Sequence, residues 1–105
     1  MKFNSYVILF LILIFSSNSY SGNTGSISGK LIDKNSQQEL PGAVITILDT
    51  KLWTVADKYG CYFISNIAPG TYEIRVKMLG YATIVMRDVS IRADYINEIN
   101  FEMVS

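Results

Sequence analysis

Apolar residues recur with a period of two along most of this chain, and turn residues interrupt them roughly every ten positions. The clearest stretch is Tyr72–Lys77, in which apolar and charged side chains alternate. Such alternation places successive side chains on opposite faces of a β-strand. Beyond Gly22 we find no apolar stripe at helical spacing longer than one turn. The pattern predicts an all-β fold, an antiparallel β-sandwich of about seven strands.

Turn residues divide the alternating segments. Pro41-Gly42 closes a polar loop, and Pro69-Gly70 begins the strand that contains Tyr72. Asp57-Lys58-Tyr59-Gly60 has Asp first and Gly fourth, which favours a tight turn. We therefore predict a hairpin at that turn, and an irregular strand near Arg87-Asp88. The predicted strands cover residues 26–31, 43–48, 52–56, 61–64, 72–77, 83–91 and 99–104.

The first 22 residues have a different character from the rest. A basic start precedes the unbroken apolar run Val7–Phe15, and small polar residues follow it. These are the parts of a secretory signal peptide, and the run is shorter than the about 20 residues of a membrane-spanning helix. We expect an N-terminal signal helix over residues 1–22, cleaved near Ser21, and one domain over 23–105. An uncleaved N-terminal anchor is the alternative.

The distribution of charged residues argues against nucleic-acid binding. Without Lys2 the chain has eight Lys and Arg residues against nine Asp and Glu, scattered singly. No basic patch can follow a phosphate backbone, so we expect no nucleic-acid partner and membrane contact only through the leader or a partner. Cys61 is the only cysteine, so no internal disulfide can form. Alternation places Cys61 on the face opposite the core, as an inert strand residue.

The chain lacks the residue types that common catalytic and metal sites need. It contains no histidine, which removes Ser-His-Asp and Cys-His catalysis and the usual zinc sites. Its glycines are isolated, so no phosphate-binding loop is present. We predict no catalytic residue, no cofactor and no metal. The alternative is a Ca²⁺ site formed by Asp57 with Asp49 or Asp88. Against it, an Asp in a turn ordinarily caps that turn.

Three segments carry a family pattern: Ile27-Ser28-Gly29-Lys30-Leu31-Ile32-Asp33, then Leu40-Pro41-Gly42-Ala43, then Asp57-x-x-Gly60-x-Tyr62-x-Ile64-x-Asn66-Ile67-x-Pro69-Gly70-x-Tyr72-x-Ile74-x-Val76-x-x-x-Gly80-Tyr81. Together they resemble the carboxypeptidase regulatory-like domain, a transthyretin-like (prealbumin-like) β-sandwich with a carbohydrate-binding-like fold. The resemblance covers nearly all of Gly25–Met103. The chain departs from the pattern at Trp53, where Gly is usual, and at Ala56 and Tyr59.

The motif residues have structural roles in this interpretation. Gly29 leaves room for a neighbouring strand or ring, and Gly80-Tyr81 turns the chain and lays a ring over the end of the sandwich. Ile74, Val76 and Phe101 belong to the expected core. The residues expected to make the fold are Gly29, Pro41, Gly42, Asp57, Gly60, Tyr62, Pro69, Gly70, Tyr72, Gly80 and Tyr81.

The resemblance also implies a function. Domains of this type follow a signal peptide and form the periplasmic N-terminal extension of SusC-like TonB-dependent outer-membrane receptors in Bacteroidetes. We expect a non-catalytic interaction or accessory domain, in the periplasm or at the outer membrane, with a protein partner in the cell envelope. A free-standing module and a truncated receptor N-terminus both fit this expectation. The alternative is a carbohydrate-binding module with Trp53 and Tyr59 as its ligand platform, unless Trp53 is a core or rim residue.

Overall fold

The computed structural model describes residues 22–105, which form two β-sheets and contain no helix. This range therefore offers no helix that could cross a membrane. The predicted signal helix and its cleavage point lie outside the described residues. The strands are β1 (Gly25–Asp33), β2 (Val44–Ile47), β3 (Trp53–Val55), β4 (Cys61–Ile67), β5 (Gly70–Lys77), β6 (Ile84–Ile91), β7 (Ile96–Glu98) and β8 (Phe101–Met103).

The two sheets form a sandwich, as the alternation predicts. The first sheet has the order β4-β1-β7, with β8 also paired to β1, and the second has the order β3-β2-β5-β6. Two details of the prediction are wrong. There are eight strands in the described residues instead of seven. The sandwich is also not wholly antiparallel, because β7 and β8 both run parallel to β1.

The additional strand is β7, since no predicted strand covers residues 96–98, and the pairing with β1 is interrupted between β7 and β8. The Ile99 N–H still donates to the Ser28 carbonyl at 2.8 Å. One position further, the Lys30 N–H donates to the side-chain Oδ1 of Asn100 at 2.9 Å instead of to a backbone carbonyl. Alternation reports the direction of side chains and not the partner of each backbone group. Residues 99–104 therefore looked like one strand, although only Phe101–Met103 is one.

The predicted hairpin at Asp57–Gly60 is also wrong. β3 pairs with β2 and β4 pairs with β1, so this turn carries the chain from the second sheet to the first. Ala56 stays bonded to the β2 side, where its N–H donates to the Ala43 carbonyl at 2.8 Å. The Gly60 carbonyl already accepts from the Leu31 N–H of β1 at 2.9 Å. Turn residues specify a reversal, but they do not specify which strand each arm joins.

The core lies between the sheets and consists mainly of inward-facing side chains from every strand except β3 and β7, which contribute no buried residue. Predicted members Tyr62, Ile74, Val76 and Phe101 are all buried, while Tyr72 is only partly so. The rings of Tyr62 and Phe101 meet with centroids 6.1 Å apart. The irregularity predicted near Arg87-Asp88 is confirmed by the positive φ of Asp88 and by a register shift between β5 and β6. The fully buried large side chains are Ile27, Leu31, Ile45, Ile47, Ile67, Ile74, Met103 and Val76.

Candidate functional site

Gly29 lies at a close approach of strand and ring that we call the Gly29 seam, formed by Gly29, Tyr62, Ile99 and Asn100. A Cβ placed on Gly29 would sit 1.8 Å from the Ile99 carbonyl oxygen and 2.8 Å from Cε1 of Tyr62. The Tyr62 hydroxyl donates to that same carbonyl at 2.5 Å. Burial raises the pKa of the Tyr62 hydroxyl. The Tyr62 hydroxyl and the Ile99 carbonyl thus bond to each other within the fold.

Tyr81 joins the end of β1 to the turn between β5 and β6. It follows Gly80, whose φ is 88°, and its hydroxyl donates to Oδ2 of Asp33 at 2.7 Å. The other Asp33 oxygen accepts the N–H groups of Asn35 and Ser36 at 2.8 and 2.9 Å. The Ser36 N–H, and after it the Tyr81 hydroxyl, lower the pKa of Asp33, while the bond to Asp33 raises the pKa of Tyr81. Sequence reasoning missed this pair, since the two residues are 48 positions apart.

The remaining motif residues stabilise separate turns. Oδ1 of Asp57 accepts the N–H groups of Tyr59 and Cys61 at 2.9 and 3.0 Å, so the carboxylate caps its own turn. Gly60 has a φ of 77° and lies tightly against the Leu31 carbonyl, whereas Gly42 turns in open space before β2. Pro69 precedes Gly70, the first residue of β5, and the Tyr72 hydroxyl of that strand donates to the Ala68 carbonyl at 2.6 Å. The structure does not bring these residues together into one cleft.

The acidic residues considered for Ca²⁺ are not assembled around one point. Asp49 and Asp88 line a depression of about 360 Å³ together with Glu73, and Asp57 is not among its lining residues. Within residues 22–105, no three or more His, Cys, Asp or Glu side chains come together in a way that could hold a metal ion.

Trp53 lies on the outer face of the second sheet and not in the core, because 63% of its surface is exposed. In the strand register Trp53 lies opposite Thr46, Thr46 opposite Arg75, and Arg75 opposite Val85, so that one row crosses all four strands. A second row contains Val55, Val44 and Lys77. We call this surface the Trp53 face; it comprises Val44, Thr46, Trp53, Val55, Arg75, Lys77 and Val85.

The strand register does not test the predicted pairing of Trp53 with Tyr59 in one platform, because Tyr59 lies outside every strand pair. Tyr59 belongs to the turn that leads to the first sheet, where 55% of its surface is exposed and Nζ of Lys58 lies 5.1 Å from the ring centroid. Trp53 and Tyr59 do not line a common depression.

The outer face of the first sheet also exposes large side chains, which sequence reasoning did not single out. Phe63 and Ile96 have 52% and 62% of their surface exposed, and Cys61 is exposed beside them, opposite the core as predicted. Glu98 and Glu102 border a depression of about 440 Å³ on this face. Glu39 forms an ion pair with Lys30 at 2.8 Å, and this bond is the main cause that raises the pKa of Lys30. We call this surface the Phe63 face; it comprises Ser28, Lys30, Ile32, Phe63, Ile96, Glu98 and Glu102.

Two stacked sheets, with a glycine seam inside and aromatic residues on the outer faces, define a β-sandwich domain. The family model of the CarboxypepD_reg-like domain matches residues 27–105, and the chain belongs to that family. The resemblance inferred from the motif is thereby confirmed. No curated protein matches the chain.

Several solved structures share the fold. A chain of the type II cohesin–X-dockerin complex from Acetivibrio cellulolyticus matches 72% of this chain with 51% of its own length, at 24% identity and a TM-score of 0.64. A candidate carbohydrate-binding protein from Bacteroides uniformis matches 78% with 42% of its length, at 16% identity and a TM-score of 0.61. A minor pilin from Streptococcus agalactiae matches 80% with 45% of its length, at 16% identity and a TM-score of 0.59. This chain thus spans about half of each neighbour or less, and these matches show the fold alone.

Proposed function

We propose that this protein is a non-catalytic protein-interaction domain of the cell envelope and that it binds its partner through the Trp53 face. The observation that carries the proposal is the exposure of Trp53, at 63% of its surface, beside the exposed Val44 and Val55. Tryptophan is enriched among the residues that dominate binding energy in protein interfaces. A contiguous exposed apolar patch on a soluble domain commonly marks a binding surface.

The comparisons support a binding role in general terms. The family is a regulatory or binding type of β-sandwich domain. The structural neighbours include domains of a cohesin–dockerin complex and pilin subunits, which associate with other proteins. The motif resemblance and the predicted leader add a location, so we place the domain in the periplasm or at the outer membrane. Its partner there would be a TonB-dependent receptor or the uptake complex around one.

A photo-reactive amino acid at position 53 tests this proposal in cells. The full chain carrying benzoylphenylalanine in place of Trp53 is illuminated in a native host, and crosslinked proteins are identified by mass spectrometry. We expect a crosslink to a TonB-dependent receptor, and none from a matched variant with the probe at the exposed loop residue Lys51. Equal crosslinking from both positions, or no receptor product from position 53, would count against the proposal.

A carbohydrate ligand is the second candidate, favoured by the same exposed indole ring. Aromatic rings that lie flat and open on a β-sheet can stack on the apolar faces of sugars. One structural neighbour is a candidate carbohydrate-binding protein, which adds an analogy of fold. Because Trp53 is the only tryptophan, its fluorescence reports directly on this surface. A saturable change in Trp53 fluorescence with oligosaccharides supports a carbohydrate-binding module. An unchanged emission spectrum across a glycan panel rejects it.

A further inference from the structure

We propose that the Trp53 face of one copy docks onto the Phe63 face of a second copy, so that copies of this protein stack head to tail. The inference rests on the proposed function, since it takes the Trp53 face as a binding surface, and it names a second copy as a partner. The two faces lie on opposite sides of the sandwich, one on each sheet. A molecule that binds through one face therefore leaves its other face open.

The two faces carry opposite charge. On the Trp53 face, Arg75 and Lys77 form no ion pair within residues 22–105. On the Phe63 face, Glu98 and Glu102 likewise have no cationic partner in the described part of the chain, because Lys30 is already paired with Glu39. Contact between two faces of the same kind would place like charges together, which disfavours a symmetric dimer. Contact between unlike faces places Arg75 and Lys77 opposite carboxylates.

The apolar side chains of the two faces also lie opposite each other when copies stack by simple translation. β3 and β4 lie side by side at one margin of the sandwich, while β6 and β7 border a common depression at the other margin. Translation therefore carries the β3 margin with Trp53 over the β4 margin with Phe63. It also carries the strands with Arg75 and Val85 over those with Glu98 and Ile96. Packed β-sheets lie about 10 Å apart, so this spacing would bury these rings between copies.

One polar group on the Trp53 face lacks an internal acceptor. Nε of Arg75 is buried and forms no hydrogen bond within residues 22–105. Removing a polar group from water without a partner costs free energy, and a carboxylate matches the donor geometry of a guanidinium. Glu98 and Glu102 border the depression on the opposite face together with Lys30, whose charge is paired with Glu39. A carboxylate of a second copy would meet the accessible part of the half-buried Arg75 side chain, because Nε itself is out of contact with solvent.

Sedimentation velocity of the full chain, expressed in an exporting Gram-negative host, tests the proposal. We expect the wild type to form a concentration-dependent series of species larger than a dimer. R75E/K77E and E98K/E102K should each weaken the association roughly 100-fold or more, because each creates like-charge contacts. Mixing equal amounts of the two variants should restore the series, since acidic faces then meet basic faces. Both variants keep the same N-terminal segment, so that segment cannot explain the difference.

The variant K34E/K51E is the matched control. It makes the same change in net charge as R75E/K77E at two exposed loop positions that belong to neither face, and it should associate as the wild type does. Circular dichroism checks that every variant is folded. A wild type that stays monomeric at all concentrations, a series that ends at a dimer, or variants that do not recover on mixing would each overturn the stacking. None of these results would affect crosslinking from position 53 to a receptor, so the proposed function is judged separately.

Discussion

At the Gly29 seam an aromatic ring lies against a glycine and donates its hydroxyl to the Ile99 carbonyl, whereas on the Trp53 face an aromatic ring is left mostly in solvent. The seam leaves no room for a Cβ on Gly29, and the Tyr62 hydroxyl is bonded to the Ile99 carbonyl. The Trp53 face has a ring without a cover and a guanidinium nitrogen without an acceptor in the described residues. The difference separates residues that make the fold from residues left available to a partner. Substitutions in the seam should change stability, and substitutions on the face should change binding.

Replacing Gly29 with Ala should cause the largest loss of stability. The new Cβ would overlap the Ile99 carbonyl oxygen, and backbone on both strands would have to move. We expect a loss of about 3 kcal/mol or more in the free energy of unfolding, measured by urea titration. Gly80→Ala is the control, because Gly80 has open space and only a positive φ, which costs about 1 kcal/mol. Equal losses in the two variants would mean that the seam is not close-packed.

Removing the Tyr62 hydroxyl should have the next largest effect. Tyr62→Phe keeps the ring but leaves the Ile99 carbonyl without this donor, for a loss of about 1–2 kcal/mol. Tyr59→Phe, at an exposed turn residue, should leave stability unchanged.

The raised pKa of Tyr62 also predicts how the free energy of unfolding changes at alkaline pH. Burial raises the pKa of Tyr62 in the folded state, so its contribution is fully present below the unfolded value near 10 and is lost as the pH rises above that value. The wild type should therefore lose more stability than Tyr62→Phe between pH about 9 and about 11. Parallel curves for the two proteins would contradict this assignment.

The Tyr81–Asp33 pair should have a smaller effect, which appears in acid. The Ser36 N–H and the Tyr81 hydroxyl lower the pKa of Asp33 in the folded state. Its contribution is therefore present above the unfolded value near 4 and is lost as the pH falls through the folded value. Tyr81→Phe should reduce this acid dependence, measured as unfolding free energy against pH, with Tyr95→Phe as the exposed control. An unchanged acid profile in Tyr81→Phe would show that the hydroxyl does not stabilise the carboxylate.

Much of the fold can be predicted from the sequence because the buried residues of a strand recur at a regular spacing. The alternation around Ile74 and Val76 correctly assigns their inward faces, and both are fully buried. The identity of the strands that pair with each other produces no such pattern in the sequence. The Asp57–Gly60 turn crosses between sheets because the Gly60 carbonyl is bonded to β1, a contact between residues far apart in the chain.

The candidate site was harder to foresee than the core. Trp53 could be singled out as an unusual residue, but alternation over the three residues of β3 is too short to assign its face. The side-chain acceptor of Asn100 and the bond between Tyr81 and Asp33 depend on the finished packing of both sheets. The charge of each outer face depends on which strands become neighbours. That arrangement puts Arg75 in one row with Thr46 and Trp53, and Glu98 in one row with Ser28 and Phe63.

Replacing Trp53 with Ala should have the smallest effect on stability and the largest effect on binding. The ring is mostly exposed, so we expect the free energy of unfolding to change by no more than about 0.5 kcal/mol in urea titration. The same variant should lose its contact with a partner at this face, seen as weaker association in sedimentation or as loss of receptor capture. Phe63→Ala makes the equivalent change on the opposite face and should weaken stacking while leaving a receptor contact at Trp53 intact. A loss of stability above about 1.5 kcal/mol in Trp53→Ala would place Trp53 with the residues of the seam, because only a ring that packs within the fold contributes that much.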